Sequence, residues 1–252
     1  MKFDLNRDME NDTYLSCVSS VYDEMENVKN FQKEKYLPSL NFIERYFNNE
    51  EADRVKILDV GIGYGAFLKL CEDAKYENLY GMDPFPKSME ISKRYTSSIL
   101  KLGKIEDSTW PYPENSFDVI TCFDVIEHLT QPNIFFHNIK SYLKNKDSIV
   151  IVRTPNGGLA YKLRKLPFIG IKDRNTTHIN VHNTLYWKKL ANANGFEILI
   201  DWKGEHLTHL KHVAFLSKIT DMMKIDHRKV PLLNTFEQAY TMVLKKKGKS
   251  KL

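Results

Sequence analysis

The stretch from Lys56 to Gly65 constrains this chain more than any other. A short apolar run, Ile57, Leu58, Asp59, Val60, ends in Gly61, Gly63 and Gly65 at alternate positions. Such a run reads as a buried strand breaking sharply into a helix. Glycine supplies the backbone conformations a tight turn needs and lets a ligand approach the main chain closely. Positions 66–74 continue with helical character. The pattern then repeats. Apolar runs at 78–82, 99–102, 117–122, 148–152, 196–200 and 239–244 are predicted strands, with helical stretches between most of them. Continuous apolar strands alternating with helices imply a mostly parallel sheet covered on both faces. The expectation is an α/β, Rossmann-like, doubly wound domain, and 252 residues suffice for one such domain with a real core. One helix is well punctuated: Asn183 or Thr184 can cap 185–190, and Gly195 lies just past its end.

Residues 1–50 precede the first strand. Tyr14, Val18, Val21, Tyr22, Met25 and Val28 fall at helical spacing, as do Tyr36, Leu40, Ile43 and Phe47. Pro38 interrupts, which predicts two or more helices. This segment is expected either to cover a site or to pack on the core of a 51–252 domain. No run of eighteen apolar residues exists, so no membrane span is expected. The start, Met1, Lys2, Phe3, Asp4, carries no secretory apolar region. Cys17, Cys71 and Cys122 are far apart and odd in number, which indicates neither a disulfide framework nor a zinc ribbon and makes a reducing cytoplasm the expected compartment. The net charge of +5 sits largely in the lysine tail from 245 to 251. That reads as a solvated terminus, and nucleic acid is not the expected partner.

The glycines alone do not choose a ligand. Gly61, Gly63 and Ala66 also satisfy a dinucleotide G-x-G-x-x-A pattern. Charge discriminates better. A pyrophosphate belongs at the helix N-terminus, where Asp59 would repel it. S-adenosylmethionine has no phosphate, and its ammonium and sulfonium are cationic, so a nearby carboxylate suits it. Asp83 closes the second strand about twenty residues past the glycines, where an acid commonly accepts hydrogen bonds from ribose hydroxyls.

Taken with Asp59, the glycine turn and Asp83, three further stretches occur in order: Pro113 to Ile120, Val125-Ile126-Glu127-His128-Leu129, and Thr154-Pro155-Asn156. Together they closely resemble the class I S-adenosylmethionine-dependent methyltransferases, most of all the branch that includes ubiquinone-biosynthesis O-methyltransferases. The resemblance covers roughly residues 55 to 200. It implies a seven-stranded sheet whose last strand is antiparallel. It also implies that Asp59, Gly61, Gly63 and Gly65 line the methionine end of the cofactor, with Phe123 and Asp124 beside it, and that Asp83 and Pro84 lie at the ribose. The family's acid for the adenine amino group is missing. Its slot holds Lys104, so Glu106, Asp107 or the backbone of Ile105 would take its place. The family also implies substrate contacts built from an insertion at 203–235.

Methyl transfer to a hydroxyl needs a proton acceptor, and a histidine titrating near neutrality suits that task. His128 is the first candidate base, because it follows the fourth strand. His178 and His182 lie in the long connection after the fifth and could reach the same mouth. Asp124, Glu127 and His128 share a face if a helix starts there. Asp124 and Glu127 also read as a capping box. No metal is the working expectation, although some relatives place a divalent cation on an acid-x-x-Glu-His pattern, which here is Asp124, Glu127 and His128. His206, His209 and His212 read as a polar helix face. Lys162, Arg164, Lys165, Lys172 and Arg174 would suit a phosphate or nucleotide diphosphate on a small-molecule substrate, or a solvated loop. The preferred acceptor is a hydroxylated sugar or sugar-linked molecule, with a quinone precursor as the alternative. An RNA methyltransferase and a nicotinamide-dependent oxidoreductase are the competing classes. Nothing in the sequence sets the oligomeric state.

Overall fold

A computed structural model describes residues 25–48, 52–158, 161, 177–204 and 239–248. Its elements run α1 (Met25–Phe47), β1 (Ile57–Val60), α2 (Ala66–Asp73), β2 (Leu79–Asp83), α3 (Pro86–Ser92), β3 (Ile99–Leu102) and β4 (Val119–Phe123). A 3-10 turn (Ile126–His128) follows, then α4 (Pro132–Tyr142), β5 (Ile149–Pro155), α5 (Thr184–Ala193), β6 (Phe196–Gly204) and β7 (Ala239–Lys246). The seven strands form one sheet in the order β3-β2-β1-β4-β5-β7-β6. β1 to β5 pair in parallel, and β7 is antiparallel to both neighbours. The expected doubly wound α/β fold, antiparallel last strand included, is the observed one.

Alternation along the strands sorts the core into two layers. On one face, Ile57, Val119, Ile149, Ile151 and Val243 pack with Leu40 and Ile43 of α1, Phe67, Leu68 and Cys71 of α2, and Met89 of α3. On the other, Leu58, Val60, Ile120, Val150, Val152 and Met242 pack with Phe135, Phe136 and Ile139 of α4 and Trp187 and Ala191 of α5. β1 and β4 are buried at every residue, as a strand sandwiched between helix layers must be. The chain order reverses between β1 and β4, which opens a crevice beyond their carboxyl ends.

One expectation fails. Pro38 does not divide the N-terminal segment, because α1 runs through it from Met25 to Phe47. A proline inside a helix costs roughly 3 kcal/mol. Pro38 is exposed, whereas Leu40 and Ile43 are buried against the core. Burying two aliphatic side chains contributes about 1.5–3 kcal/mol each, enough to carry the helix past the break. Residues 1–24, the 205–238 region with its three histidines, and all five basic residues of the loop ending at Arg174 lie outside the described residues. Asn183 caps α5 as expected, its side chain accepting from the Tyr186 amide at 2.9 Å. No helix among the described residues is long and apolar enough to cross a membrane.

Candidate active site

The glycine turn leaves β1 at the crevice. Gly61, Gly63 and Gly65 all have positive φ, and the Gly61 amide donates to the Met82 carbonyl at 2.8 Å. A β-carbon on Gly61 would strike the side chain of Val125, so only glycine fits there. A β-carbon on Gly63 would meet nothing within 4 Å, so the space beside that residue is open.

Asp83 ties this turn to β2. One oxygen accepts from the Gly63 amide at 3.1 Å and the other from the Phe85 amide at 2.9 Å. An ionised carboxylate has about four acceptor positions, so capacity remains for ribose hydroxyls. Burial pushes its carboxyl up to about 6, with these backbone donors pulling the other way. Asp59 is buried at the base of the turn, where Thr121, its partner across β4, donates to it at 2.6 Å. Burial raises Asp59 to about 7. The Thr121 bond opposes that rise and the nearby Asp83 adds to it. A buried carboxyl left short of compensating positive charge suits a cationic ligand.

The next loop carries the residues expected near adenine. Ile105 is buried, and its carbonyl accepts from Trp110 Nε1 at 3.2 Å and from Asn138 Nδ2 at 2.8 Å. Asp107 receives the Lys104 amide at 3.0 Å, which closes the loop on itself. Glu106 is half-buried beside Ile105. Asn138 and Trp110 set this loop, and sequence reading missed both, because a single polar residue on α4 carries no signal of its partner.

α1 roofs the crevice. The Tyr36 ring packs 5.7 Å from Phe67 and 4.9 Å from Phe123. Lys35 Nζ lies 2.5 Å from Asp124, and Arg153 of β5 bonds the other oxygen of the same carboxylate. Burial opposes ionisation of Asp124, but Arg153 and Lys35 outweigh it and hold the carboxyl down at about 2. The capping-box expectation is therefore wrong. Val125, not Asp124, is the residue that precedes and caps the 3-10 turn, Asp124 adopts positive φ, and its side chain goes to the two cations. Arg153 was findable, since a buried cation inside the apolar run 149–152 demands a carboxylate. Lys35 left no such trace.

The 3-10 turn presents the remaining groups. Glu127 is fully buried. Its Oε2 accepts from Thr154 Oγ1 at 3.2 Å, while its Oε1 meets no hydrogen-bond partner among the described residues. Burial, then the charge on Asp124, raises its carboxyl to about 8. His128 Nδ1 lies 3.0 Å from the Thr177 carbonyl. The Thr177 hydroxyl lies 2.9 Å from the same nitrogen, so Thr177 holds the ring through both its backbone and its side chain. His128 Nε2 is 4.0 Å from Glu127 Oε1, and the His178 ring lies 4.9 Å from that of His128. One ligand atom from each of Glu127, His128 and His178 falls within 4.8 Å of the others. Thus His178 joins the cluster in place of Asp124. His182 does not join it: its ring stacks 3.7 Å from Tyr186 and its Nε2 lies 3.2 Å from Asn180.

A family profile described as a methyltransferase domain matches residues 29–200. The chain belongs to that family. It is a class I S-adenosylmethionine-dependent methyltransferase in fold and family. The chain is 30% identical over 104 residues to the mitochondrial ubiquinone biosynthesis O-methyltransferase of Schizosaccharomyces pombe, covering 38% of this chain and 36% of that one. It is 25% identical over 202 residues to the ubiquinone biosynthesis O-methyltransferase of Rickettsia canadensis, covering 78% of each. The chain spans about half the length, or less, of the first curated relatives it matches. Among solved structures, a SAM-dependent methyltransferase from Archaeoglobus fulgidus superposes with a TM-score of 0.63 at 19% identity, over 92% of this chain and 99% of that one.

Proposed function

We propose that this enzyme transfers a methyl group from S-adenosylmethionine to a hydroxyl oxygen of a small molecule. The turn residues Gly61, Gly63 and Gly65, with Asp59, would take the methionine end of the cofactor. Asp83 and Pro84 would take the ribose, Ile105 and Glu106 the adenine, and Phe123 and Tyr36 would wall the crevice. The turn fits such a ligand: it offers backbone amides, open space at Gly63 and a buried carboxyl. The same carboxyl argues against a nicotinamide dinucleotide. Asp124, already engaged by Lys35 and Arg153, shapes the crevice wall more than it offers a free carboxylate.

Bound cofactor supplies a methyl made electrophilic by its sulfonium. The protein's own residues orient the acceptor and take its proton. The observation that carries the oxygen acceptor is the His128 imidazole at the crevice, held through Nδ1 by Thr177 and beside buried Glu127. The acceptor hydroxyl gives its proton to that imidazole while its oxygen forms the new bond to carbon and the carbon–sulfur bond breaks. Thr177 holds the ring's angle through its carbonyl and hydroxyl.

The names of the relatives support an oxygen acceptor, and they favour a phenolic quinone precursor over a sugar. The sugar reading rested on basic residues outside the described part of the chain. A methyl-transfer assay with labelled cofactor decides among acceptors. Phenolic precursors should accept label, while sugar nucleotides and RNA should not. Label on RNA alone, or binding of nicotinamide dinucleotide with no response to S-adenosylmethionine, would overturn the reading.

A further inference from the structure

α4 grips the loop between β3 and β4. Asn138 and Tyr142 stand four residues apart on that helix, so they share a face. The Asn138 side-chain amide donates to two carbonyls of the loop, Ile105 at 2.8 Å and Asp107 at 3.0 Å. The Tyr142 ring stacks on Trp110 with centroids 4.6 Å apart, and the indole Nε1 donates to the same Ile105 carbonyl at 3.2 Å. A carbonyl oxygen has two lone pairs, and here both are taken. The exposed Asp107 turns its carboxylate back to the Lys104 amide at 3.0 Å. The Gly103 amide donates to the Asp83 carbonyl at 3.2 Å, so the loop is tied to β2 on one side and to α4 on the other. Half-buried Glu106 lies between Ile105 and Asp107, and no hydrogen bond or ion pair engages it among the described residues.

We propose that Asn138 and Trp110 are positioning residues that make this loop select adenine over other purines. By filling the Ile105 carbonyl they leave the Glu106 carboxylate as the acceptor for the adenine amino group, and they hold the loop in place before the cofactor arrives. This deepens the reading of the cofactor end above and rests on it. Both contacts of Asn138 run to carbonyls, which only accept, so its two N–H groups and not its oxygen face the loop. Two loop carbonyls turned the same way repel each other unless a donor bridges them, and Asn138 is that bridge. A loop ordered in advance costs less to order on binding. An ionised carboxylate accepts and cannot donate, so Glu106 suits the amino group of adenine and repels the 6-oxo oxygen of hypoxanthine. Neither Asn138 nor Trp110 needs to touch the base. Each acts through the backbone that carries Glu106.

The test compares calorimetric binding of S-adenosylhomocysteine and S-inosylhomocysteine, which differ only in the base. The parent should prefer the adenosyl ligand by about 10- to 100-fold, the worth of a hydrogen bond to a charged group. Glu106→Gln should bring the two affinities close to equal, because an amide can serve either base. Asn138→Asp keeps the shape of the side chain, removes both donors and sets a charge against two carbonyls. It should weaken S-adenosylhomocysteine by about tenfold and cut the preference below about threefold, the scale of one hydrogen bond lost. Trp110→Phe keeps the stack on Tyr142 and loses one donor, so the preference should fall in the same direction by a smaller factor. The ratio is the deciding readout. A merely structural role would weaken both ligands alike and leave their ratio where it was. An unchanged ratio in Asn138→Asp would overturn the positioning role, and if that variant does not fold, Trp110→Phe decides by the same ratio. A parent that binds both ligands equally would overturn the selection of adenine while leaving the cofactor reading intact. A parent that binds neither would overturn the cofactor reading itself, and this proposal with it.

Discussion

The two ends of the crevice are built by different rules. At the proposed cofactor end, each acid is fixed by a contact inside its own turn or by the strand beside it. Asp83 accepts from Phe85 two residues on and from the glycine turn, and Asp59 accepts from its cross-strand partner Thr121. At the acceptor end, the groups converge from distant stretches. Thr177 orients His128 from 49 residues away, and Glu127 receives Thr154 from the next strand. The two acids of the first end are both hydrogen-bonded, whereas at the second Glu127 keeps a buried oxygen with no hydrogen-bond partner among the described residues. Binding and chemistry are therefore expected to separate cleanly under mutation.

The strongest test of that separation is Gly61→Val. It forces a positive φ on a branched residue and drives its side chain into Val125. Strain and overpacking of this kind cost several kcal/mol, on the order of 3 or more. Calorimetry should find cofactor binding abolished, and a thermal melt should show lower stability. Next in size, His128→Ala should reduce turnover by about 10²- to 10⁴-fold, the usual contribution of a positioned proton acceptor or ligand. Its cofactor Kd should stay near that of the parent. A large change in Kd would mean the two ends are not separable.

The third test uses pH. Asp59 titrates near 7 in the fold against about 4 unfolded, so the folded state holds its proton more tightly. Ligand-free stability from this group is then greatest at low pH and falls as pH rises from about 4 through 7. Cofactor affinity runs the other way. It should drop by up to about tenfold per pH unit below 7, as the carboxylate that attracts the cation is neutralised. Asp59→Asn should flatten both profiles, which melts and titrations between pH 5 and 8 would record. The smallest effect is expected from Lys35→Met. Loosening one tie between α1 and the crevice should weaken cofactor binding by about three- to tenfold, the scale of a partly exposed ion pair. Lys35→Arg should restore it.

The same contrast explains what could be read from sequence. The strands, the glycine turn, Asp83 at the end of β2 and the Asn183 cap are local patterns, and all are where the residues put them. Pro38 misled because local propensity was overruled by the burial of Leu40 and Ile43. Asp124 misled because its spacing to Glu127 matches a cap, while its side chain answers to Lys35 and Arg153, which no spacing rule connects to it. His178 was named as one of two histidines able to reach the mouth. Only the packing of the chain beside the 3-10 turn, where Ile179 and Asn180 both donate to the Glu127 carbonyl, tells it from His182.

The vacancy at Gly61 that Val125 fills has a mechanical consequence. The glycine turn and the 3-10 turn mesh there like two gear teeth, with one side chain standing in the notch of the other backbone. A ligand that nudges the first by a fraction of an ångström hands that displacement to Glu127 and His128. Drift at position 61 over evolution would likewise have to be answered by a smaller residue at 125.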